Sequence, residues 1–127
     1  MLLKNVIGVY SAFQHLSSLN LPLKSSWMIA QNMSKLQPLV DTFEETRQKY
    51  IAALQEKATL DAEGNPEVTD ELAAEFRDNV ESLLNEKQSV RLRKVTLIDD
   101  GTLSIEPQVL MSAMDYLIIK DNGNQAS

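Results

Sequence analysis

The sequence predicts an α+β protein, mainly α, in which a long-helix antiparallel hairpin packs with a short β-hairpin and a C-terminal helix. Apolar side chains recur in steps of four and three from Ile29 to Leu54, as on a helix face that packs against another helix. After Ser89 the pattern changes to the alternation that is typical of strands. The 127 residues fit one domain with a modest core. We assign residues 1–120 to that domain and residues 121–127 to a polar C-terminal tail.

The first two helices are separated by a proline step. We expect Asn5 to cap a short first helix, because asparagine side chains accept hydrogen bonds from first-turn N–H groups. Pro22 ends that helix, since the residue before a proline avoids helical dihedral angles. Ser25 or Ser26 is then expected to cap the long helix, which runs to about Ala58.

Pro38 lies inside the long helical pattern, where it removes a backbone donor and clashes with the carbonyl group four residues back. The apolar spacing continues in phase through it, so we favour one continuous, kinked helix over two helices. A loop is predicted at residues 61–66, and Thr69 is expected to cap the next helix. A connection this short predicts an antiparallel hairpin. Its contact face is predicted to contain Phe43, Tyr50, Leu54, Leu72, Phe76 and Leu83.

The β-hairpin is predicted within residues 90–105. Its alternation slips at residues 93–94, which indicates a bulge, and residues 99–101 are a tight-turn signal. Pro107 suits the first turn of a last helix, because its missing N–H would have no helical partner there. The apolar residues of that helix are Val109, Leu110, Met114, Leu117 and Ile118.

Charge is unevenly distributed along the chain. Residues 1–40 contain three lysines and no acid, whereas residues 41–88 contain thirteen acids and five bases, a net charge of −8. Because interface centres are depleted of charge, residues 1–40 form either core alone or core together with an association surface. Leu23, Trp27 and Met28 are the candidate interface residues, since tryptophan is favoured at interfaces. Packing of Trp27 under the first helix is equally compatible with the sequence.

The sequence offers little for catalysis. His15 is the sole histidine, and there is no cysteine. We find no Gly-rich phosphate loop, serine nucleophile elbow or paired-carboxylate motif, and the acids of residues 61–67 do not have the spacing of an EF-hand. We therefore predict no enzyme activity, no cofactor and no metal. Arg47, which lies on the apolar seam, is expected to reach an acid on the facing helix or water.

Arg91, Arg93 and Lys94 form the only basic cluster. They could contact phosphate groups, but the surrounding charge is negative and no aromatic residues alternate with them. Salt bridges to the acidic helices are the favoured interpretation, and nucleic acid is not an expected partner. The acidic helices could instead mimic nucleic acid. No apolar run approaches the ~18–20 residues of a membrane span, so we expect no membrane partner.

A set of apolar spacings and turns gives the chain a family resemblance. These positions are Leu21, Pro22, Lys24, Ile29, Ala30, Gln31, Asn32, Leu36, Arg47, Lys49, Gly64, Asn65, Leu83, Leu84, Glu86, Ile105, Pro107 and Leu110. In them the chain resembles, over residues 5–118, an uncharacterised family of short proteins encoded by tailed bacteriophages and prophages. The chain departs from this family in its polar tail and at Gln31, where a basic residue is commoner.

The resemblance implies a role but supplies no catalytic residues. Members lie among late structural or lysis genes, which implies a minor virion, tail or assembly component that works through protein–protein contacts. We expect partners to be other phage proteins or further copies of this chain, as a homo-oligomer. The alternative is a small acidic inhibitor that binds a host enzyme or defence complex. Either role places the protein in the host cytoplasm or the virion.

Overall fold

Four α-helices account for most of the residues in a computed structural model of the chain, which describes residues 1–121. The helices are α1 (Leu3–Ser17), α2 (Leu23–Lys57), α3 (Asp70–Leu84) and α4 (Pro107–Ala113), and a 3₁₀ turn (Met114–Tyr116) follows α4. The strands are β1 (Thr59–Leu60), β2 (Pro66–Glu67), β3 (Val95–Asp99) and β4 (Leu117–Asp121). The predicted α+β class, mainly α, is confirmed at this level.

The core lies where α1 packs against the N-terminal half of α2, α4 and β3. Helix α1 contributes most of it, because its apolar residues recur at helical spacing along one side. The most deeply buried side chains are Val6, Phe13, Leu16, Ile29, Asn32, Leu36, Val95 and Leu97. Helix α3 has no residue in this core that is fully buried.

Helix α1 begins earlier than predicted and is not capped by Asn5. It starts at Leu3, and its N-cap, Leu2, makes no side-chain capping bond. Tertiary pairing replaces the cap: the Leu3 N–H donates to the Glu86 carbonyl oxygen at 2.8 Å, and Leu2 forms an antiparallel bridge with Lys87. A contact more than eighty residues away in sequence satisfies a first-turn donor, so local sequence could not reveal it.

Helix α2 is continuous through Pro38, as we favoured over two separate helices. It begins at Leu23 with Pro22 as its N-cap, so neither Ser25 nor Ser26 is the cap. Ser25 is instead buried, and its hydroxyl donates to the Thr96 carbonyl oxygen at 2.6 Å. None of the helices in residues 1–121 combines the length and the apolar character that a membrane span requires.

Helices α2 and α3 are joined through a small antiparallel pair of strands. Strands β1 and β2 pair at the two ends of the predicted loop, and Thr69 caps α3 as predicted, accepting from the Leu72 N–H at 3.2 Å. Tyr50 stacks on Phe76 with ring centroids 5.8 Å apart, as expected for facing helices. Phe43 is buried, whereas the other predicted contact residues are only half-buried.

The predicted β-hairpin is wrong. Strand β3 pairs in parallel with β4, and residues 90–94 and 103–105 form no strand, so no bulge exists at residues 93–94. The turn signal itself was correct: the Asp99 carboxylate accepts from the Gly101 N–H, and Gly101 has a φ of 91°. Beyond the turn, however, Leu103 and Ile105 pack against the core, and α4 carries the chain back to begin a parallel strand.

The predicted C-terminal helix is shorter than expected. It starts at Pro107 as predicted but ends at Ala113, and Leu117 and Ile118 belong to β4, where they pair with Val95 and Thr96. The apolar, β-branched run of β4 fits a pleated strand better than a helix. Asp121 is the last residue of β4, and the remainder of the predicted tail, residues 122–127, lies outside the described residues.

Candidate protein-binding surfaces

The exposed side of α2 carries two of the three predicted interface residues. Trp27 lies about 200° around the helix from buried Ser25, since successive residues are ~100° apart. It is 61% exposed, and Leu23, one turn earlier on the same side, is 87% exposed. Trp27 therefore lies on the surface rather than under α1. We call this side the outer face; it consists of Leu23, Trp27, Ala30 and Ser34, all exposed and none charged.

Met28, the third predicted interface residue, does not belong to the outer face. It is half-buried and packs against the core cluster. Residues 27 and 28 point to different sides of α2 because neighbours on a helix are separated by ~100°. The structure thus keeps Leu23 and Trp27 together and separates Met28 from them.

The basic residues Arg91, Arg93 and Lys94 are all exposed and precede β3. Salt bridges to the acidic helices, which we favoured, are not formed: the one ion pair within residues 1–121 joins Arg47 to Glu44. The Arg93 guanidinium instead donates to the Gln31 side-chain oxygen at 2.7 Å. A basic residue at position 31 could not accept that bond.

A second surface lies along residues 41–84, which we call the arm; it comprises the C-terminal part of α2, β1, β2 and α3. Between α2 and α3 an open groove of about 620 Å³ runs along one side of the arm. Its apolar lining consists of Ile51, Leu54, Val68, Leu72, Ala73 and Phe76. We call it the arm groove. Its size and apolar lining lie in the range of ligand-binding and peptide-binding sites.

Charged groups at the arm groove differ from those of the rest of the arm. Both arginines of α2 and α3, Arg47 and Arg77, line it, together with a single acid, Asp70. We expected Arg47 to reach either an acid on the facing helix or water. It does not reach α3 but pairs with Glu44 on its own helix at 3.4 Å. Arg77 is exposed and forms no ion pair with a described residue. Arg77 is therefore the one cation of the groove lining without an ion-pair partner among the described residues.

Apolar side chains are also exposed near the C-terminal strand. Met111 and Met114 are 72% and 63% exposed, and Ile118 and Ile119 of β4 are 41% and 50% exposed. Strand β4 pairs with β3 alone among the described residues, so one of its edges is an edge of the sheet. Sheet edges are sites at which other chains can add a strand.

Asp61 and Asp100 each hold a turn of the backbone. The Asp61 carboxylate accepts from the N–H groups of Glu63 and Asn65, which holds the β1–β2 turn. Two hydrogen bonds from Thr102 lower the pKa of Asp100 below its ordinary value of 3.8. The bond from the Thr102 hydroxyl has the larger effect, and the bond from its N–H has the smaller one. Within the described residues no three histidine, aspartate or glutamate side chains are grouped closely enough to hold a metal ion.

Sequence reasoning missed the arm groove although it identified the residues. Leu72 and Phe76 were predicted to lie on the contact face between two helices, and their apolar spacing is real. A helix pair alone, however, covers only one side of each helix, and the core covers α3 only towards its C-terminal end, at Val80, Leu83 and Leu84. The strong amphipathic pattern of α3, with many acids on its other side, was the available signal.

Comparisons with known proteins identified no relative of this chain. No family model matches the chain, no curated protein matches it, and no solved structure matches it. The resemblance to phage proteins therefore supports a proposal about function and no more.

Proposed function

We propose that the protein is not an enzyme and acts through contacts with other proteins, as a minor virion, tail or assembly component of a tailed bacteriophage. The observation that carries the contact role is the outer face. Trp27 is 61% exposed beside Leu23, in a part of α2 that contains lysine but no acid. Indole rings are large and partly apolar, and they frequently anchor interfaces when they insert into a pocket of a partner.

The phage assignment is supported by the resemblance at the positions given above, and it places the protein in the virion or the host cytoplasm. A virion protein must present an apolar surface that a neighbour covers, and the outer face meets that requirement. Neither nucleic acid nor membrane is a proposed partner, since the basic cluster consists of three residues only.

The alternative is an acidic inhibitor that binds a host enzyme or defence complex. It is favoured by the arm, where residues 41–84 contain twelve acids and four bases, a net charge of −8. A dense acidic surface can occupy a basic groove that ordinarily binds nucleic acid. This reading would use the acidic sides of α2 and α3 rather than the outer face.

Particle association separates the two functions. An epitope-tagged chain would be expressed during infection, and particles would be purified on a density gradient. We expect the wild-type chain to copurify with particles. Trp27→Ala should reduce the bound fraction at least tenfold, because loss of a central anchor commonly weakens binding by that much. Met114→Ala is the matched control, since Met114 is 63% exposed and lies outside the outer face.

A chain absent from particles would contradict the virion role. If it instead remained bound to a host complex and lost that binding when acids of the arm were changed to amides, the inhibitor reading would hold. Equal loss in Trp27→Ala and Met114→Ala would contradict the assignment of the outer face.

A further inference from the structure

Four exposed cations lie beside the outer face, and none of them forms an ion pair with a described residue. Lys24 and Lys35 belong to α2, whereas Arg91 and Arg93 belong to the segment that leads into β3. That segment is held along α2, because the Lys35 ammonium group donates to the Arg91 carbonyl oxygen at 2.9 Å. The Arg93 guanidinium donates to the Gln31 side-chain oxygen at 2.7 Å. We call the four cations the cationic strip.

The cationic strip borders Trp27. Gln31 lies one turn after Trp27, and side chains in this relation are neighbours on a helix, with Cβ atoms about 5–6 Å apart. The guanidinium of Arg93 is therefore bound to the residue that neighbours the indole ring. Lys24 and Lys35 lie about 60° and 80° around α2 from Trp27, since successive residues are ~100° apart. One partner can thus contact the indole and the strip together.

Neutral oxygen atoms orient two of the four charges without neutralising them. The acceptors of the Lys35 and Arg93 head groups are a backbone carbonyl and a side-chain amide. No acid occurs in residues 1–40 or 87–98, the stretches that contain the strip. Charged groups that are already positioned lose less conformational entropy when a partner binds. The strip is therefore prepared for an anionic partner.

We propose that the cationic strip and Trp27 together bind an acidic segment of a partner protein, which supplies carboxylates to the strip and an apolar side chain to the indole. This proposal rests on the proposed function, since it names the chemistry of the partner that covers the outer face. Guanidinium groups pair most favourably with carboxylates in two-pronged geometry. Lys24 and Lys35 are eleven residues apart on α2, about 16 Å, so roughly five residues of extended partner chain span the strip.

The extent of the positive charge favours a short protein segment over nucleic acid or a membrane. The whole chain has a net charge of −6, which becomes −10 when the four cations of the strip are left out. The acidic arm begins at residue 41, about 9 Å beyond Lys35 on the same helix. A polyanion longer than the strip would meet those acids and be repelled, whereas a short acidic segment ends before them.

Calorimetric titration of the purified full chain tests the proposal. The probe is a short synthetic peptide of glutamates around a central pair of leucines. We expect a dissociation constant below ~1 mM at low salt and weaker binding as salt is raised. A matched peptide with glutamine at every glutamate should bind at least tenfold more weakly. The leucine peptide should also shift the emission of Trp27 to the blue, and a version with alanine for leucine should not.

Charge reversal on the chain locates the site. Arg93→Glu and Lys24→Glu should each raise the dissociation constant for the glutamate peptide at least tenfold, because like charges then face each other across the contact. Arg77→Glu is the matched control: it makes the same charge change at an exposed residue of α3, outside the strip. It should leave the constant within about twofold of the wild type. Circular dichroism should show that the helices remain in all three variants.

Three results would overturn the proposal. The first is equal binding of the glutamate and glutamine peptides, and the second is an equal effect of Arg93→Glu and Arg77→Glu. The third is tighter binding of a short DNA duplex, or of vesicles of anionic lipid, with the same loss in Arg93→Glu, which would give the surface to a different class of partner.

The peptide titration is independent of the particle assay. Copurification with particles, together with no preference for the glutamate peptide, would overturn the acidic partner and leave the virion role standing. A clear preference for the glutamate peptide in a chain that is absent from particles would support the acidic partner and overturn the virion role.

Discussion

The side-chain amide of Asn32 is paired with the backbone of Arg93. Its Nδ2 donates to the Arg93 carbonyl oxygen at 2.8 Å, and its Oδ1 accepts from the Arg93 N–H at 2.9 Å. Asn32 is completely buried. Its side-chain amide gives Arg93, in the segment that leads into β3, the same pair of backbone hydrogen bonds that a neighbouring strand would give. This amide fixes the register between α2 and the segment that precedes β3.

Replacing that amide should be costly. We expect Asn32→Leu to lower the free energy of unfolding by roughly 2–4 kcal/mol, because it leaves the N–H and carbonyl groups of Arg93 without partners. Chemical denaturation measures the loss. Ser34→Ala, at an exposed position on the same helix, should change the free energy by less than about 0.5 kcal/mol. A similar small effect in both variants would show that the pair does not hold the two segments together.

The helical half of the fold was accessible from sequence because its determinants are local. The apolar spacing of α2 and the Thr69 cap of α3 both act within a few residues, and both were predicted correctly. The cap of α1 and the role of Asn32 were not, since each depends on a partner distant in sequence. An asparagine on an apolar seam looks like an interruption until its backbone partner is known.

The strand pairing failed for a related reason. A turn signal at residues 99–101 followed by an apolar pair is compatible with a hairpin, and nothing local forbids it. The actual partner of β3 is β4, which is reached only after α4. In Ile118 and Ile119 the strand propensity exceeds that for helix, and this was the one local signal for β4.

The candidate surfaces were predicted in part. Leu23 and Trp27 were identified from their apolar character in a segment without acids, and they lie together on the surface. Such residues face the core or water according to which side of α2 the other elements cover. The sequence did not determine which side that is. The arm groove exists because the core covers only the C-terminal end of α3, and that is a property of the whole fold.

The two phenylalanines of the hairpin should differ in their contribution to stability. Phe43→Ala should lower the free energy of unfolding by about 3–5 kcal/mol, because Phe43 is 8% exposed in the core. Phe76→Ala should cost only about 1–2 kcal/mol in the monomer, since Phe76 is half-buried and stacks on Tyr50 alone among aromatic rings. Urea denaturation compares them. Equal losses would contradict the partial burial of Phe76.

The Asp100 turn should respond to acid. Because Thr102 stabilises the ionised carboxylate, the folded pKa of Asp100 lies below 3.8, and the unfolded pKa is about 3.9. Its contribution to stability is therefore present above the unfolded pKa and is lost as pH falls through the folded one. Carboxyl-detected NMR titration measures the pKa directly.

Thr102→Val should return the pKa of Asp100 towards 3.8, whereas Thr59→Val, at an exposed threonine elsewhere, should leave it unchanged. A wild-type pKa at or above 3.8 would show that the Thr102 bonds are not formed in solution.

The absence of cysteine and the single histidine predict that the purified protein holds no stoichiometric metal. His15 is exposed, so His15→Ala should leave both the fold and partner binding intact. Elemental analysis together with the particle assay checks this. Zinc at one equivalent per chain, lost in His15→Ala, would refute it.

Trp27 offers the most direct test of the claim that the outer face is available for a partner. It is the only tryptophan, so intrinsic fluorescence reports on it alone. Acrylamide quenching of the purified chain at low protein concentration measures how accessible the indole is. We predict emission of a water-exposed indole and efficient quenching, because Trp27 is 61% exposed. Blue-shifted, protected emission would place Trp27 in the core and would contradict the account.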